Sequence, residues 1–149
     1  MISCMDSIPP LRSPDQTPPI RTAADLYRHW CAMMGPLGFA DRSLWILLLE
    51  SDGRPLPALL RMEQLPGLPQ RRPLRNLITT MERVVAEQIG DGGRIAILLS
   101  RPGHSQLTTS DQAWAEGLQR EVARSTLSLM PIYIATDQAI VPFDLPLAA

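Results

Sequence analysis

Residues 95–111 read IAILLSRPGHSQLTTSD, and the chain can be interpreted outward from them. The run Ile95–Leu99 is apolar and has the length of a buried strand. A polar loop follows, and Thr108 and Asp111 then stand three residues apart, the spacing of a capping box at the start of a helix. The stretch therefore predicts a strand, a loop and a helix, the unit from which helix-covered sheets are built.

The first half of the chain predicts a helix followed by a hairpin. Thr22 and Asp25 have capping-box spacing and begin an amphipathic segment. The continuous apolar run Leu44–Leu49 predicts a strand that is buried on both faces. Ser51-Asp52-Gly53-Arg54 is a turn signal, and Leu56–Met62 can return as a second strand. Pro55 and Pro57 are suited only to a sheet edge or to the start of a strand.

Two further helices and a closing hairpin complete the prediction. Pro73–Ile89 and Thr109–Ser125 both carry apolar residues at helical spacing, whereas Ile132–Ala135 and Ile140–Phe143 are short apolar runs around a turn. The order is therefore α-ββ-α-β-α-ββ. We expect an α/β fold of three layers, with a central mixed β-sheet of about five strands flanked by helices.

Length and composition favour one domain. The chain has 149 residues, of which 45% are hydrophobic, enough for a core of its own. Residues 1–21 are rich in proline and predict a disordered tail, residues 22–143 form the domain, and residues 144–149 form a short C-terminal tail. The net charge of −1 argues against a general binder of polyanions. All 14 basic residues are arginine, so no lysine amine is present for covalent chemistry.

The cysteines and the apolar segments predict a cytoplasmic location. Cys4 and Cys31 have no CxxC spacing, which favours two reduced thiols. No apolar segment approaches the length of a membrane span, and the first residues lack the pattern of a signal peptide. We therefore expect no membrane association.

The stretch from Leu99 to Asp111 resembles the zinc site of the JAMM/MPN metalloproteases, and of RadC-like proteins in particular. In that family a strand ends in His-x-His-Pro, and a loop then leads to Ser-x-x-Asp. Aligning Pro102 with the family's proline puts Leu99 and Arg101 at the two histidine positions. Thr108-x-x-Asp111 resembles the Ser-x-x-Asp element, with a loop one residue shorter. Leucine cannot bind zinc, and guanidinium repels a dication.

The resemblance extends more loosely over residues 44–143 and implies a JAB/MPN-like domain. Glu50 and Glu63 are both candidates for the family's upstream glutamate. With the histidines missing, we expect no catalytic residue, metal ligand or cofactor, because zinc catalysis needs three protein ligands and an open position. Metal-free members of the superfamily serve as scaffolds, so the resemblance implies a protein-interaction module with a protein partner or a homo-oligomer.

The residues expected to form a binding loop are Arg101, His104, Gln106 and Asp111. Arg101 is suited to bind a carboxylate or phosphate in bidentate fashion. Asp111 also has a purely structural interpretation as the acidic member of the capping box, where a carboxylate favours the helix dipole.

Two alternatives stay open. Arg71, Arg72 and Arg75 are a weak signal for a nucleic-acid-associated accessory protein. The second alternative is a hydrolase with a site rebuilt around His104, Asp111 and a glutamate. A serine triad is disfavoured because the sequence has no nucleophile elbow.

Overall fold

A computed structural model describes residues 18–143, and within them the chain forms a mixed α/β fold of three helices and six strands. In chain order the elements are α1 (Ala23–Met34), β1 (Ser43–Leu49), β2 (Pro55–Met62), α2 (Arg71–Gln88), β3 (Arg94–Ser100), α3 (Thr109–Ala123), β4 (Ser128–Leu129), β5 (Tyr133–Ala135) and β6 (Ile140–Pro142). The predicted order is confirmed, with one additional element: the two-residue β4, which the pattern of apolar runs did not reveal.

The sheet has the strand order β2-β1-β3-β5-β6, and β4 pairs with β3 outside this path. β1 is antiparallel to both β2 and β3, whereas β3 is parallel to β4 and β5. The sheet is therefore mixed, as predicted, and β2 lies at its edge, where the prolines of its first half are tolerated. β3 and β5, which α3 connects, are the adjacent parallel pair that a strand-helix-strand unit predicts.

Alternating side chains of the central strands belong to two apolar clusters, one on each face of the sheet. Leu44, Ile97 and Leu99 face α2 and α3, whereas Leu47 and Leu98 face α1. Because successive strand residues point to opposite faces, a continuous apolar run supplies both clusters at once. The result is three layers: α1, the sheet, and the α2–α3 pair.

The packed part of the chain begins before Thr22. Ile20 is buried, its N–H donates to the carbonyl of Gly53 at 2.8 Å, and Arg94 Nη2 donates to its carbonyl at 3.0 Å. Gly53 has a φ of 92°, and an added Cβ would lie 2.7 Å from the Ile20 oxygen. Residues 18–21 are therefore part of the fold, although their composition predicts that they belong to the tail. The rest of that tail (1–17) and residues 144–149 lie outside the described residues.

Of the two cysteines that we expect to be reduced, Cys31 lies in α1 and is buried, and Cys4 is outside the described residues. Within residues 18–143, none of the helices combines the length and hydrophobicity that a membrane span requires.

Candidate functional site

The loop that follows β3 leaves the sheet at Arg101. The N–H of Arg101 donates to the carbonyl of Ala135 at 3.0 Å, so its backbone continues the pairing of β3 with β5. Leu99 and Arg101 are two residues apart on extended backbone and therefore point to the same face, toward α2 and α3. Leu99 is fully buried in the apolar cluster on that face, and the guanidinium of Arg101 lies just beyond it.

The guanidinium of Arg101 is enclosed by the loop and by the first turn of α3. Nε lies 2.8 Å from Asp111 Oδ1, and Nη2 lies 2.8 Å from Asp111 Oδ2. The remaining donors reach three loop carbonyls: Nη1 binds Pro102 at 3.1 Å and His104 at 3.0 Å, and Nη2 binds Gln106 at 2.9 Å. Every N–H of the group therefore has an acceptor, and only 7% of the side chain is exposed.

Asp111 is the fully buried acid at the centre of this cluster. Its Oδ2 accepts the backbone N–H of Thr108 at 2.9 Å, and its own N–H donates to Thr108 Oγ1 at 3.1 Å, which completes the predicted capping box. Arg42 Nη1 donates to Oδ1 at 2.9 Å. Burial alone would raise the pKa of Asp111, but the hydrogen bonds from Arg101, Arg42 and Thr108 outweigh it and lower the pKa to about 2.

The guanidinium of Arg101, which we expect from the sequence to bind an external carboxylate or phosphate, is engaged within its own chain. Arg101 does bind a carboxylate in bidentate fashion, but that carboxylate belongs to Asp111 of its own chain. Asp111 is likewise buried and unsuited to contact a partner. The two residues are the internal support of the loop.

The loop surface consists of His104, Gln106 and their neighbours. Both side chains are exposed, while their carbonyls point inward to Arg101. Asp137 holds the loop from another side, because its carboxylate accepts the N–H of Gly103 at 2.8 Å and that of Phe39 at 3.0 Å. These two hydrogen bonds lower the pKa of Asp137 below its ordinary value. Of the four predicted loop residues, His104 and Gln106 have exposed side chains, whereas Arg101 and Asp111 are buried.

The residues present do not fit the zinc ion that the family resemblance implies. The position beside Asp111 is occupied by the cationic side chains of Arg101 and Arg42, and Leu99 supplies no lone pair. Within residues 18–143, no three His, Cys, Asp or Glu side chains are grouped as a metal-ligand set. A rebuilt hydrolase site around His104 and Asp111 faces the same difficulty, since the Asp111 carboxylate is held by two arginines.

The two candidates for the upstream glutamate are at opposite ends of the sheet. Glu50 follows Leu49, which pairs with Arg94 at the start of β3. Glu63 follows Met62, which pairs with Leu44, at the sheet end where β3 leads into the loop. Glu63 is therefore at the same end of the sheet as the loop, and its Oε1 lies 3.1 Å from Arg61 Nη1.

Sequence reasoning missed Arg42. It precedes β1 and is 69 residues from Asp111, and no local pattern connects the two. The charges alone could not reveal it, because the burial of Asp111, and with it the need for further donors, is known only from the fold.

The arginines at the start of α2 form part of a mixed-charge surface. Arg71, Arg72 and Arg75 are exposed, as the nucleic-acid alternative requires. Arg75 Nε, however, lies 3.5 Å from Oε1 of Glu121, a buried acid of α3. Mixed charge of this kind is not the uniformly basic face on which polyanion binding depends.

Comparison with known proteins adds no family assignment: no protein-family model matches the chain, and no curated protein matches it.

Proposed function

We propose that this chain is a JAMM-like domain without zinc chemistry, and that it acts by binding protein, as an interaction or scaffold module. The observation that carries the proposal is the buried ion pair between Arg101 and Asp111. It places a permanent cation against the one acid that resembles a family zinc ligand.

The ion pair supports a binding role because it makes the loop stiff. A guanidinium with acceptors on Pro102, His104, Gln106 and Asp111 connects both ends of the loop to its middle. Charge-assisted, bidentate hydrogen bonds are among the strongest in proteins. A loop held in one conformation loses little entropy on association, which favours recognition of a partner.

The position of the pair also agrees with the resemblance. Residues 99 and 101 share a face of the sheet, and Arg101 contacts Asp111 directly. Of the three positions that the resemblance aligns with zinc ligands, 101 and 111 are therefore in contact, and 99 lies on the same face as 101. Leu99 and Arg101 differ from the family's histidines, so zinc binding is lost while the strand, loop and helix are retained.

The metal content of the purified chain tests the first half of the proposal. We expect elemental analysis to find far less than stoichiometric zinc, and a fluorogenic isopeptide substrate to remain intact. In the Leu99→His/Arg101→His double variant, which returns imidazoles to the family's positions, we expect zinc uptake to rise. The matched control is the same double variant with Asp111→Asn, which should not take up zinc. Stoichiometric zinc and isopeptide cleavage by the unaltered chain would refute the proposal.

A binding assay with the loop surface tests the second half. Full-length chain immobilised as bait should retain a protein from an extract of its native host, or a second copy of itself. Two variants separate a contact at the loop from a contact at the sheet edge. His104→Ala/Gln106→Ala should weaken retention through the loop, and Leu60→Glu should weaken retention through the edge. Arg54→Ala, at an exposed position, is the control. A chain that retains no protein, itself included, contradicts a binding role.

A further inference from the structure

The outer side of β2 is an unpaired sheet edge. β2 is the first strand in the order β2-β1-β3-β5-β6, and among residues 18–143 no strand pairs with its other side. An edge strand presents backbone N–H and C=O groups that can pair with another chain, so proteins commonly protect such edges.

The second half of this edge is apolar on both faces. Leu60 and Met62 pair with Ile46 and Leu44 and therefore belong to the face of α2 and α3. Leu59 pairs with Leu47 on the opposite face. Leu59, Leu60 and Met62 are between 36% and 38% exposed, and they are three of the five large hydrophobic side chains exposed within the described residues. We call residues 59–62 the apolar edge.

The usual protection covers only the first half of β2. Pro55 and Pro57 lie there, and the pairing with β1 is irregular between Leu47 and Leu49. Residues 59–62 contain no proline, and the chain has no lysine. Their single charged side chain, Arg61, is folded back onto its own subunit: its guanidinium carbon lies 4.4 Å from the centre of the Trp45 ring. It therefore does not prevent pairing with another chain in the way that outward-pointing charges on an edge strand do.

We propose that a second copy of this chain pairs with the apolar edge, β2 against β2, in antiparallel orientation about a two-fold axis. The inference rests on the proposed role in protein binding and names the partner. A two-fold axis perpendicular to the sheet keeps the two faces of the sheet in register, so apolar residues of one copy continue the apolar faces of the other. With the axis at Leu60, this residue faces Leu60 of the second copy, and Leu59 faces the aliphatic stem of Arg61 of the second copy.

The charges of the edge are compatible with self-association. Arg61 Nη1 lies 3.1 Å from Glu63 Oε1, so each copy brings a neutralised pair to the interface. The formal net charge of the chain is only −1, which means that two copies repel each other weakly. Pairing converts two six-stranded sheets into one continuous sheet and buries Leu59, Leu60 and Met62 on both faces.

Sedimentation equilibrium of the full-length chain, from micromolar to submillimolar concentration, tests the pairing. We expect a reversible monomer–dimer equilibrium with a dimer of twice the 16.5 kDa chain mass. Leu60→Glu places two carboxylates face to face, so its dimer dissociation constant should rise by about 100-fold or more. Leu68→Glu is the matched control: Leu68 is 62% exposed but lies in the link before α2, and this variant should dimerise normally.

A charge-pair mixture tests the two-fold register. Leu60→Arg alone should be monomeric, whereas an equimolar mixture of Leu60→Glu and Leu60→Arg should form heterodimers, because residue 60 meets its own counterpart. Hydrogen exchange needs no variant: amides of residues 59–62 should exchange more slowly at high protein concentration than at low concentration. This measurement decides the question if the variants do not fold.

Several results would overturn the inference. The first is a wild-type chain that stays monomeric throughout the concentration range. The second is a Leu60→Glu variant that still dimerises, or a Leu68→Glu variant that does not. The third is a mixture of Leu60→Glu and Leu60→Arg that stays monomeric, or hydrogen exchange in residues 59–62 that is independent of protein concentration. A monomeric wild-type chain that retains another protein at the edge would refute the second copy as occupant and leave the proposed function standing. Zinc-dependent cleavage would refute the proposed function without affecting the dimer.

Discussion

Arg101 has two structural roles in the loop between β3 and α3. It neutralises a buried acid and, through three carbonyls, fixes the course of the chain between β3 and α3. Removing one partner of a buried ion pair is far more costly than the net contribution of the pair, because the other charge is left without solvation. The strong effects of substitution should therefore concentrate at this cluster.

Arg101→Ala should lower the free energy of unfolding by about 3–5 kcal/mol, since it leaves the buried Asp111 carboxylate short of donors. Urea denaturation followed by circular dichroism measures the change. Arg54→Ala is the matched control, because Arg54 is 64% exposed and its Nε lies 3.6 Å from Asp52; it should change stability by less than about 0.5 kcal/mol. Equal effects of the two substitutions would contradict the supporting role of Arg101.

The lowered pKa of Asp111 predicts acid sensitivity. Because the pKa falls from 3.8 to about 2 on folding, the folded state binds fewer protons than the unfolded state between these values. The resulting stabilisation, about 2 kcal/mol, is fully present only above about pH 5, and it is lost as the pH falls through 3.8 toward about 2. Carboxyl carbon shifts of labelled aspartate, followed by NMR, measure the titration. An Asp111 midpoint equal to that of aspartate in an unstructured peptide would refute the cluster's electrostatics.

Helix starts and the hairpin turn show how short-range chemistry defines elements. Thr22 and Thr108 each complete a reciprocal capping box with an aspartate three residues later, so two of the three helices begin with satisfied N–H groups. α2 has no side-chain cap, and its position depends on packing of Leu74, Ile78 and Met81. At the β1–β2 turn, Gly53 allows both a positive φ and the close approach of Ile20.

Thr108→Ala should destabilise the chain by about 1 kcal/mol, because it removes the acceptor for the Asp111 N–H at the start of α3. Thermal unfolding followed by circular dichroism measures it. Thr109→Ala changes the adjacent, exposed threonine and serves as the control, with little loss expected. The capping role is wrong if both variants unfold at the same temperature as the unaltered chain.

In the molecule as a whole, β1 and β3 form the centre of the structure. β1 pairs with strands on both sides, and the residues Ile95–Leu99 of β3 are all fully buried. Helices cover both faces of these strands, so their amides can exchange only when the whole domain opens. The edge strand β2 has no such cover on its outer side.

Hydrogen exchange should therefore be slowest in β1 and β3 and faster in the link between β2 and α2. Peptide-level mass spectrometry at low protein concentration, where self-association is negligible, gives the comparison. β3 amides that exchange as fast as those of residues 64–70 would show that the sheet centre is not the most stable part of the fold.

Much of the fold could be predicted because its signals are local. The apolar runs of β1 and β3, the capping boxes at Thr22 and Thr108, and the turn at Gly53 depend on residues within about four positions of one another, the range over which helix and turn chemistry acts. Because proline lacks a backbone N–H, the prolines of β2 predicted a sheet edge or a strand start, and the structure has β2 at the edge.

The rest depends on contacts between residues that are distant in the sequence. The packing of Ile20 on Gly53, the short strand β4, and the convergence of Arg42 and Arg101 on Asp111 arise only when the strands pair in their particular order. A solvated arginine and a buried one have the same sequence pattern. Arg101 is buried because the desolvated Asp111 carboxylate needs a cationic partner in the folded chain. The contact between the two side chains depends on three-dimensional proximity, which no short-range pattern encodes.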